Sequence, residues 1–168
     1  MMTNIFIYSI SFLLYLIPGM KLDFLESNNS NDHIMSNPII QETNSSVTEV
    51  SVSGQEYDYT FNVGIKSPDT GCKQYADWWE IVSEDGELIY RRILLHSHVG
   101  EQPFTRSGGS VNINKDQTVF IRSHMNNKGY GEVVFKGSVS KGFKRYVLTS
   151  EFANELQTIS PLPKGCRF

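Results

Sequence analysis

The sequence is poor in cysteine, has no basic excess and lacks the common catalytic motifs. Only 2 of its 168 residues are cysteines, and neither Cys72 nor Cys166 has the C-x-x-C neighbour of a cysteine zinc site. The 15 basic residues stand against 18 acidic ones, a net charge of −3 that argues against a dedicated nucleic-acid binder. With no G-x-S-x-G and no glycine-rich phosphate loop, the sequence assigns no catalytic residue, and an enzyme is the weakest class.

The longest apolar run, from Ile5 to Ile17, lies near the N-terminus. It is shorter than the roughly 20 residues that a membrane-spanning helix needs. It fits the apolar core of a secretory signal, so residues 1–20 are predicted to be a signal peptide that exports the chain to the periplasm or the extracellular space. No Lys or Arg precedes the run and no A-x-A site follows it, which leaves a retained N-terminal anchor as the alternative. No cysteine follows the run directly, which argues against a bacterial lipoprotein.

The rest of the chain divides by composition. Asparagine and serine dominate residues 21–46 without a regular apolar period, which predicts a flexible tether. Residues 47–145 show repeated strand patterns and are predicted to form one β domain. Residues 146–168 are predicted to be a C-terminal helix or tail, with helical character over 151–159.

The predicted domain consists of short strands separated by turns. Apolar residues alternate from Tyr57 to Ile65, as in a half-buried strand. Asp85-Gly86 supplies the positive φ angles of a tight hairpin. The predicted strands are 47–52, 57–65, 76–82, 88–95, 111–113, 118–123 and 132–139. With no amphipathic helix among them, this spacing predicts an all-β, antiparallel sandwich.

The two cysteines are predicted to pair. In an exported chain an even pair is most simply one disulfide, Cys72–Cys166, which ties the C-terminal tail to the domain. Closing a loop of roughly 95 residues stabilises a fold by at most about 4.6 kcal/mol on the chain-entropy estimate. Two free thiols are the alternative.

Three segments carry a distinctive set of residues: YADWWE over 75–80, HSHVGEQPFTRS over 96–107 and RSH over 122–124. This set resembles an uncharacterised family of small exported bacterial proteins, and the resemblance covers about half of the chain. It implies an immunoglobulin-like or fibronectin-like sandwich in the bacterial envelope. The family has no assigned activity, so no catalytic role is carried over. Cys72 stands where the family pattern has an aromatic residue, which makes the disulfide specific to this chain and its relatives.

Three of the 4 histidines lie in these segments. If the strand from Leu88 continues to His98, His96 and His98 share one face because side chains repeat every second residue. With His124 from a later strand, and Glu101 completing the ligand set, they predict a copper or zinc site. The alternative is structural: the two histidines hydrogen-bond the loop that follows, and Glu101 pairs with Arg106.

The stretch after the predicted strand is also a candidate binding loop, because loops on a rigid scaffold often carry recognition. Its candidate residues are His96, His98, Glu101, Gln102, Phe104 and Arg106. The sequence thus predicts an exported, non-enzymatic binding or structural module of the envelope, whose partner is an envelope protein or a glycan. The alternative is a periplasmic copper- or zinc-binding protein, and a hydrolase is a third class. Membrane contact is expected only through an uncleaved N-terminal anchor.

Two further features have a structural and a functional interpretation. Trp78 and Trp79 face opposite ways on a strand, so one is expected in the core and the other at a surface or a neighbouring loop, where a ligand platform is the alternative. Lys141, Lys144 and Arg145 are expected to line a solvated strand edge. An anionic envelope partner is the alternative for these basic residues.

Overall fold

The computed structural model describes residues 43–167. The predicted signal peptide or anchor (1–20) and most of the predicted tether (21–46) therefore lie outside the described residues. The end of the predicted tether belongs to the folded domain, because Ser45 and Ser46 are buried and the first strand begins at Ser46. In the described part of the chain, no helix is long and apolar enough to cross a membrane.

The predicted all-β class is confirmed. The strands are β1 (Ser46–Gln55), β2 (Asp58–Lys66), β3 (Ala76–Ser83), β4 (Leu88–Ile93), β5 (Phe104–Val111), β6 (Val119–Met125), β7 (Gly129–Tyr130), β8 (Val133–Ser138) and β9 (Gly142–Val147). The predicted C-terminal helix is a short 3-10 helix, Asn154–Thr158.

The strands form one sheet of mixed direction. Their order is β4-β3-β6-β8-β1-β2-β5, with β7 paired to β6 and β9 paired to β8. The β1–β8 pair is parallel, through Ser46 and Val133, so the prediction of purely antiparallel pairing needs correction. The immunoglobulin-like sandwich is not confirmed either, because the described strands hydrogen-bond into a single continuous sheet instead of two separate ones.

The sheet curls until its two end strands, β4 and β5, lie side by side in a near-barrel. Arg92 Nε on β4 donates to the carbonyl oxygen of Ser107 on β5 at 3.0 Å. Gly108 permits this approach, since a Cβ there would lie 2.8 Å from the rings of Trp79 and Tyr90. The curled sheet thus closes on itself by side-chain contact.

Local sequence explains the best-predicted elements. On β2, Phe61, Val63 and Ile65 alternate with more exposed residues and have no exposed surface, whereas Tyr57 precedes the strand and is 59% exposed. The predicted hairpin between β3 and β4 is confirmed, and Gly86 has the positive φ, 87°, that its turn requires.

β3 and β6 are buried on both faces. Trp79 lies in the main core inside the curled sheet, and Trp78 on the opposite face packs with Val82, Tyr130 and Leu156. The two tryptophans therefore face opposite ways, as predicted, and the outward one, Trp78, is covered by the C-terminal segment. The residues after β9 form a partial second layer over β3 and β6.

Two buried arginines hold this C-terminal segment. Arg91 and Arg122 both pair with the fully buried carboxylate of Glu80. Arg91 also donates to the carbonyl oxygens of Leu156, Ile159 and Pro161. Arg122 donates in the same way to the carbonyls of Phe152 and Ala153. The two guanidinium groups thus satisfy backbone acceptors of a segment that has little regular structure of its own.

The predicted disulfide is confirmed. Cys72 and Cys166 are bonded; they lie 94 positions apart in sequence, and their Cα atoms are 5.5 Å apart. Next to it, the backbone N–H of Arg167 donates to the carbonyl of Leu95 at 2.6 Å. The C-terminal segment is therefore fixed at its far end as well as at the arginines.

Candidate functional site

The candidate binding residues lie where the chain passes from β4 to β5. We call residues 94–103 the histidine loop. β4 ends at Ile93, not at the predicted Leu95, and its pairing with β3 continues by one more backbone hydrogen bond, from the N–H of Leu94 to the carbonyl of Asp77. The condition under which His96 and His98 would share one strand face is therefore not met: His96 is exposed in the loop and His98 is buried.

Asp69 fixes the middle of the histidine loop. Its buried carboxylate accepts hydrogen bonds from the backbone N–H groups of His98 and Ala76 at 2.8 and 3.0 Å, and from Ser67 Oγ at 2.7 Å. Sequence reasoning missed this residue. The available signal was its place in Ser-Pro-Asp directly after a predicted strand, where aspartate often bonds backbone in a turn.

Gln102 fixes the end of the loop. Its Oε1 accepts from the backbone N–H of Ser67 at 2.9 Å, and its Nε2 donates to the carbonyl of His98 at 3.1 Å. Phe104 then begins β5 opposite Ile65 and is buried. The structural alternative predicted that the two histidines hydrogen-bond the loop that follows. The backbone carbonyl of His98 makes such a bond, whereas its imidazole ring does not.

The His98 ring is buried without a hydrogen bond. Only 4% of the residue is exposed, and its ring stacks on Phe104 with centroids 3.8 Å apart. Within residues 43–167 neither ring nitrogen has a hydrogen-bond partner, and Nδ1 lies 3.9 Å from Asp69 Oδ2. Burial, followed by the nearby charges of Arg106 and His96, lowers the pKa of His98.

A small pocket opens beside this ring. Its volume is about 90 Å³, and its polar border consists of Arg92, His96, His98 and Arg106. The rings of His96 and His98 lie with centroids 4.6 Å apart. Arg106 also pairs with Glu101 at 2.8 Å, as the structural alternative predicted, and this hydrogen bond lowers the pKa of Glu101.

His124 lies in a different environment. Its Nδ1 contacts Asp77 Oδ1 at 2.7 Å and its Nε2 contacts Gln157 Oε1 at 3.0 Å, while its ring stacks on Trp78. None of these contacts is shared with His96 or His98. The predicted ligand set is therefore not brought together, and no cluster of three or more His, Cys, Asp or Glu suited to a metal occurs in the described part of the chain.

The Asp77–His124 pair borders an open cleft of about 460 Å³ beside the disulfide. Burial raises the pKa of Asp77, partly offset by its hydrogen bond with His124. An Asp–His pair can activate a nucleophile when the second ring nitrogen faces a hydroxyl or thiol. Here that nitrogen faces the amide oxygen of Gln157, so the geometry is that of a fixed structural pair.

Comparison with known proteins gives one informative relative. A curated protein from Halomicrobium mukohataei, named "Putative lipoprotein", is 34% identical over 102 residues. The match covers 60% of this chain and 49% of the relative, so the chain spans about half the length of the curated relative it matches. No family model matches the chain, and no solved structure matches it.

Proposed function

We propose that this chain is an exported, non-enzymatic binding module of the cell envelope that presents the histidine loop to an envelope partner. The observation that carries the proposal is the way in which the loop is held. Asp69 and Gln102 hold its backbone by hydrogen bonds to His98. The side chains of His96, Val99 and Glu101 remain exposed. A rigid loop with exposed side chains suits recognition, because little conformational freedom is lost on binding.

Two observations support the export and envelope part. The Cys72–Cys166 disulfide is of the kind that persists in oxidising compartments. The relative's name is that of a lipoprotein, a class anchored in the envelope. The lipid itself is not carried over, because no cysteine precedes Cys72 in the sequence and Cys72 is disulfide-bonded. The periplasm or the extracellular side of the envelope remains the proposed location, and an envelope protein or a glycan the proposed partner.

The test combines fractionation with binding to isolated envelopes. Cells that make the full chain are fractionated, and the purified chain is then sedimented with envelope fragments from the same cells. Val99→Asp alters the histidine loop, whereas Val147→Asp alters an equally accessible valine on β9; the two residues are 59% and 65% exposed.

We expect the wild-type chain in the envelope or periplasmic fraction, and several-fold weaker co-sedimentation for Val99→Asp than for Val147→Asp. A cytoplasmic location of the wild-type chain contradicts the proposal. Equal retention of the two variants contradicts it as well, because the histidine loop would then not be the contact surface.

A further inference from the structure

We propose that the pocket beside His98 binds a tetrahedral oxyanion, phosphate or sulfate, either free or as the terminal group of a larger ligand. This inference rests on the proposed function and names the ligand chemistry of the same surface. Four nitrogen-bearing side chains converge on the pocket, and the remaining lining is the segment Ile93–Leu95. Side chains that can all donate hydrogen bonds favour a ligand with several acceptor oxygens.

The buried ring of His98 is the strongest sign of a ligand. A buried polar atom without a hydrogen bond costs about 1–3 kcal/mol, so native structures rarely leave one unpaired. In the His98 ring both nitrogens are in this state, although the ring borders the pocket. Both nitrogens are closed to solvent, so an oxyanion in the pocket would accept a hydrogen bond from one of them once the ring rotates toward it, and this bond would remove part of that cost.

The charges around the pocket favour an anion over a cation. Arg92 has no ion pair with a carboxylate in the described region, and its exposed guanidinium borders the pocket. Arg106 also borders the pocket, and its positive charge is partly balanced by the ion pair with Glu101. Neither Glu101 nor Asp69 borders the pocket. A divalent metal ion would face two arginines with no carboxylate ligand, which electrostatics disfavours.

The carboxylate of Asp69 lies close to the His98 ring and affects its protonation. Its Oδ2 lies 3.9 Å from His98 Nδ1, so a protonated His98 would stand between one carboxylate and the bound anion. Burial, Arg106 and His96 oppose that proton, whereas Asp69 and Glu101 favour it. A bound oxyanion offsets the charges of Arg106 and His96 and favours the protonated ring, so binding should be accompanied by proton uptake and should tighten as the pH falls.

The size of the pocket limits what can enter. Its volume is about 90 Å³. Drug-sized ligands occupy pockets of about 300–1,000 Å³. Only a single small group fits, and a tetrahedral anion presents more acceptor oxygens to four converging donors than a flat carboxylate does.

The test is calorimetric titration of the full, oxidised chain with sodium phosphate, sodium sulfate and sodium acetate at constant ionic strength, at pH 5.5 and pH 7.5. Arg92→Gln removes an exposed cation at the pocket. His98→Phe keeps a ring that can stack on Phe104 and removes both nitrogens. Lys144→Gln removes an exposed cation from β9 and is the matched control.

We expect phosphate or sulfate to bind more tightly than acetate. Sulfate, whose charge does not change between these pH values, should bind more tightly at pH 5.5 than at pH 7.5. Binding should weaken about tenfold or more in Arg92→Gln and His98→Phe, and change less than about twofold in Lys144→Gln. Near-ultraviolet circular dichroism checks that each variant is folded, and the exposed Arg92 keeps the test valid if His98→Phe does not fold.

Three results overturn the proposal: no heat from either anion, equal weakening in Lys144→Gln, or acetate binding as tight as phosphate. Stoichiometric binding of zinc or copper alone that disappears in His98→Phe also overturns it. If no anion binds while Val99→Asp still loses envelope retention, the ligand assignment alone fails. If phosphate binds but the wild-type chain is cytoplasmic, the envelope function fails instead.

Discussion

Glu80 is the residue on which the outer layer of the fold depends. Its carboxylate is fully buried and bonds two arginines, Arg91 through Oε2 and Arg122 through Oε1. Removing such charges from water costs nearly as much free energy as their mutual attraction provides. The cluster therefore adds little net stability compared with an apolar cluster of similar size. The cluster positions the C-terminal segment, because each arginine donates its remaining hydrogen bonds to backbone carbonyls of that segment.

Removing the Glu80 charge should be strongly destabilising. In Glu80→Gln two buried guanidinium groups lose their counter-charge, and we expect a loss of about 3–5 kcal/mol in the free energy of unfolding. Urea denaturation measures it. The control is Glu84→Gln, which breaks a more exposed pair with Lys136 and should cost less than about 1 kcal/mol. Equal losses in the two variants would show that the buried cluster has no special role.

The buried His98 predicts a dependence of stability on pH. Its pKa in the folded chain lies below the ordinary 6.5, so the unfolded chain binds more protons near that pH. The stability that His98 contributes is therefore present above pH 6.5 and lost as the pH falls through the folded-state pKa.

Urea denaturation in phosphate- and sulfate-free buffer at pH 7.5, 6.5 and 5.5 checks this prediction. Wild-type stability should fall relative to His98→Phe as the pH decreases, because phenylalanine cannot be protonated. A constant difference between the two proteins over this range would contradict the prediction. Added phosphate should reduce the wild-type loss if the pocket binds it.

At the scale of elements, the β3–β4 hairpin depends on its turn glycine. Gly86→Ala places a Cβ on a residue with φ of 87°, and we expect a loss of about 1–2 kcal/mol. Gly100→Ala is the matched control, because a Cβ there meets no atom within 4 Å and its φ is not positive. Thermal or urea denaturation of both variants measures the difference, and equal stabilities would contradict the proposed role of the turn.

Elements whose signal is local could be predicted from the sequence, and elements formed by distant pairing could not. β2 and the β3–β4 hairpin carry their own alternation or turn residues. β5 has two adjacent glycines and no alternation, and it becomes a strand because β2 supplies its hydrogen-bond partners. β9 is basic and mostly exposed, so its composition indicated a solvated edge. Its pairing with β8 could not be predicted from this composition.

In the candidate site, too, contacts between residues close in sequence could be predicted and contacts between distant residues could not. Glu101 and Arg106 lie five positions apart, and their pair was predictable. Asp69 lies 29 positions from His98, and no local pattern connects them. The separation of His124 from His98 depended on where β4 ends. The alternation of Leu94, His96 and His98 continued past that point, but beyond Leu94 the backbone N–H of His98 bonds the carboxylate of Asp69 instead of a neighbouring strand.

At the scale of the whole molecule, the disulfide joins the end of the C-terminal segment to the sheet. Replacing both cysteines in Cys72→Ala/Cys166→Ala should lower the free energy of unfolding by about 2–4 kcal/mol, because a long loop is no longer closed in the unfolded chain. Urea denaturation of the variant beside the oxidised wild type measures this. Limited proteolysis should cut the variant first after residue 161, where the arginine contacts end. Unchanged stability together with an intact tail would contradict the prediction.

The layer over β3 and β6 is built from residues that follow β9, the last strand in residues 43–167. A ribosome makes the nine strands first, so the growing chain carries Glu80, Arg91 and Arg122 before the carbonyls of residues 152–161 exist to meet them. Trp78 is likewise uncovered until then. The native state is therefore completed only after the last of these residues has been synthesised. For an exported chain, the disulfide that fixes the end of this layer forms only in an oxidising compartment, where Cys72 and Cys166 can be oxidised.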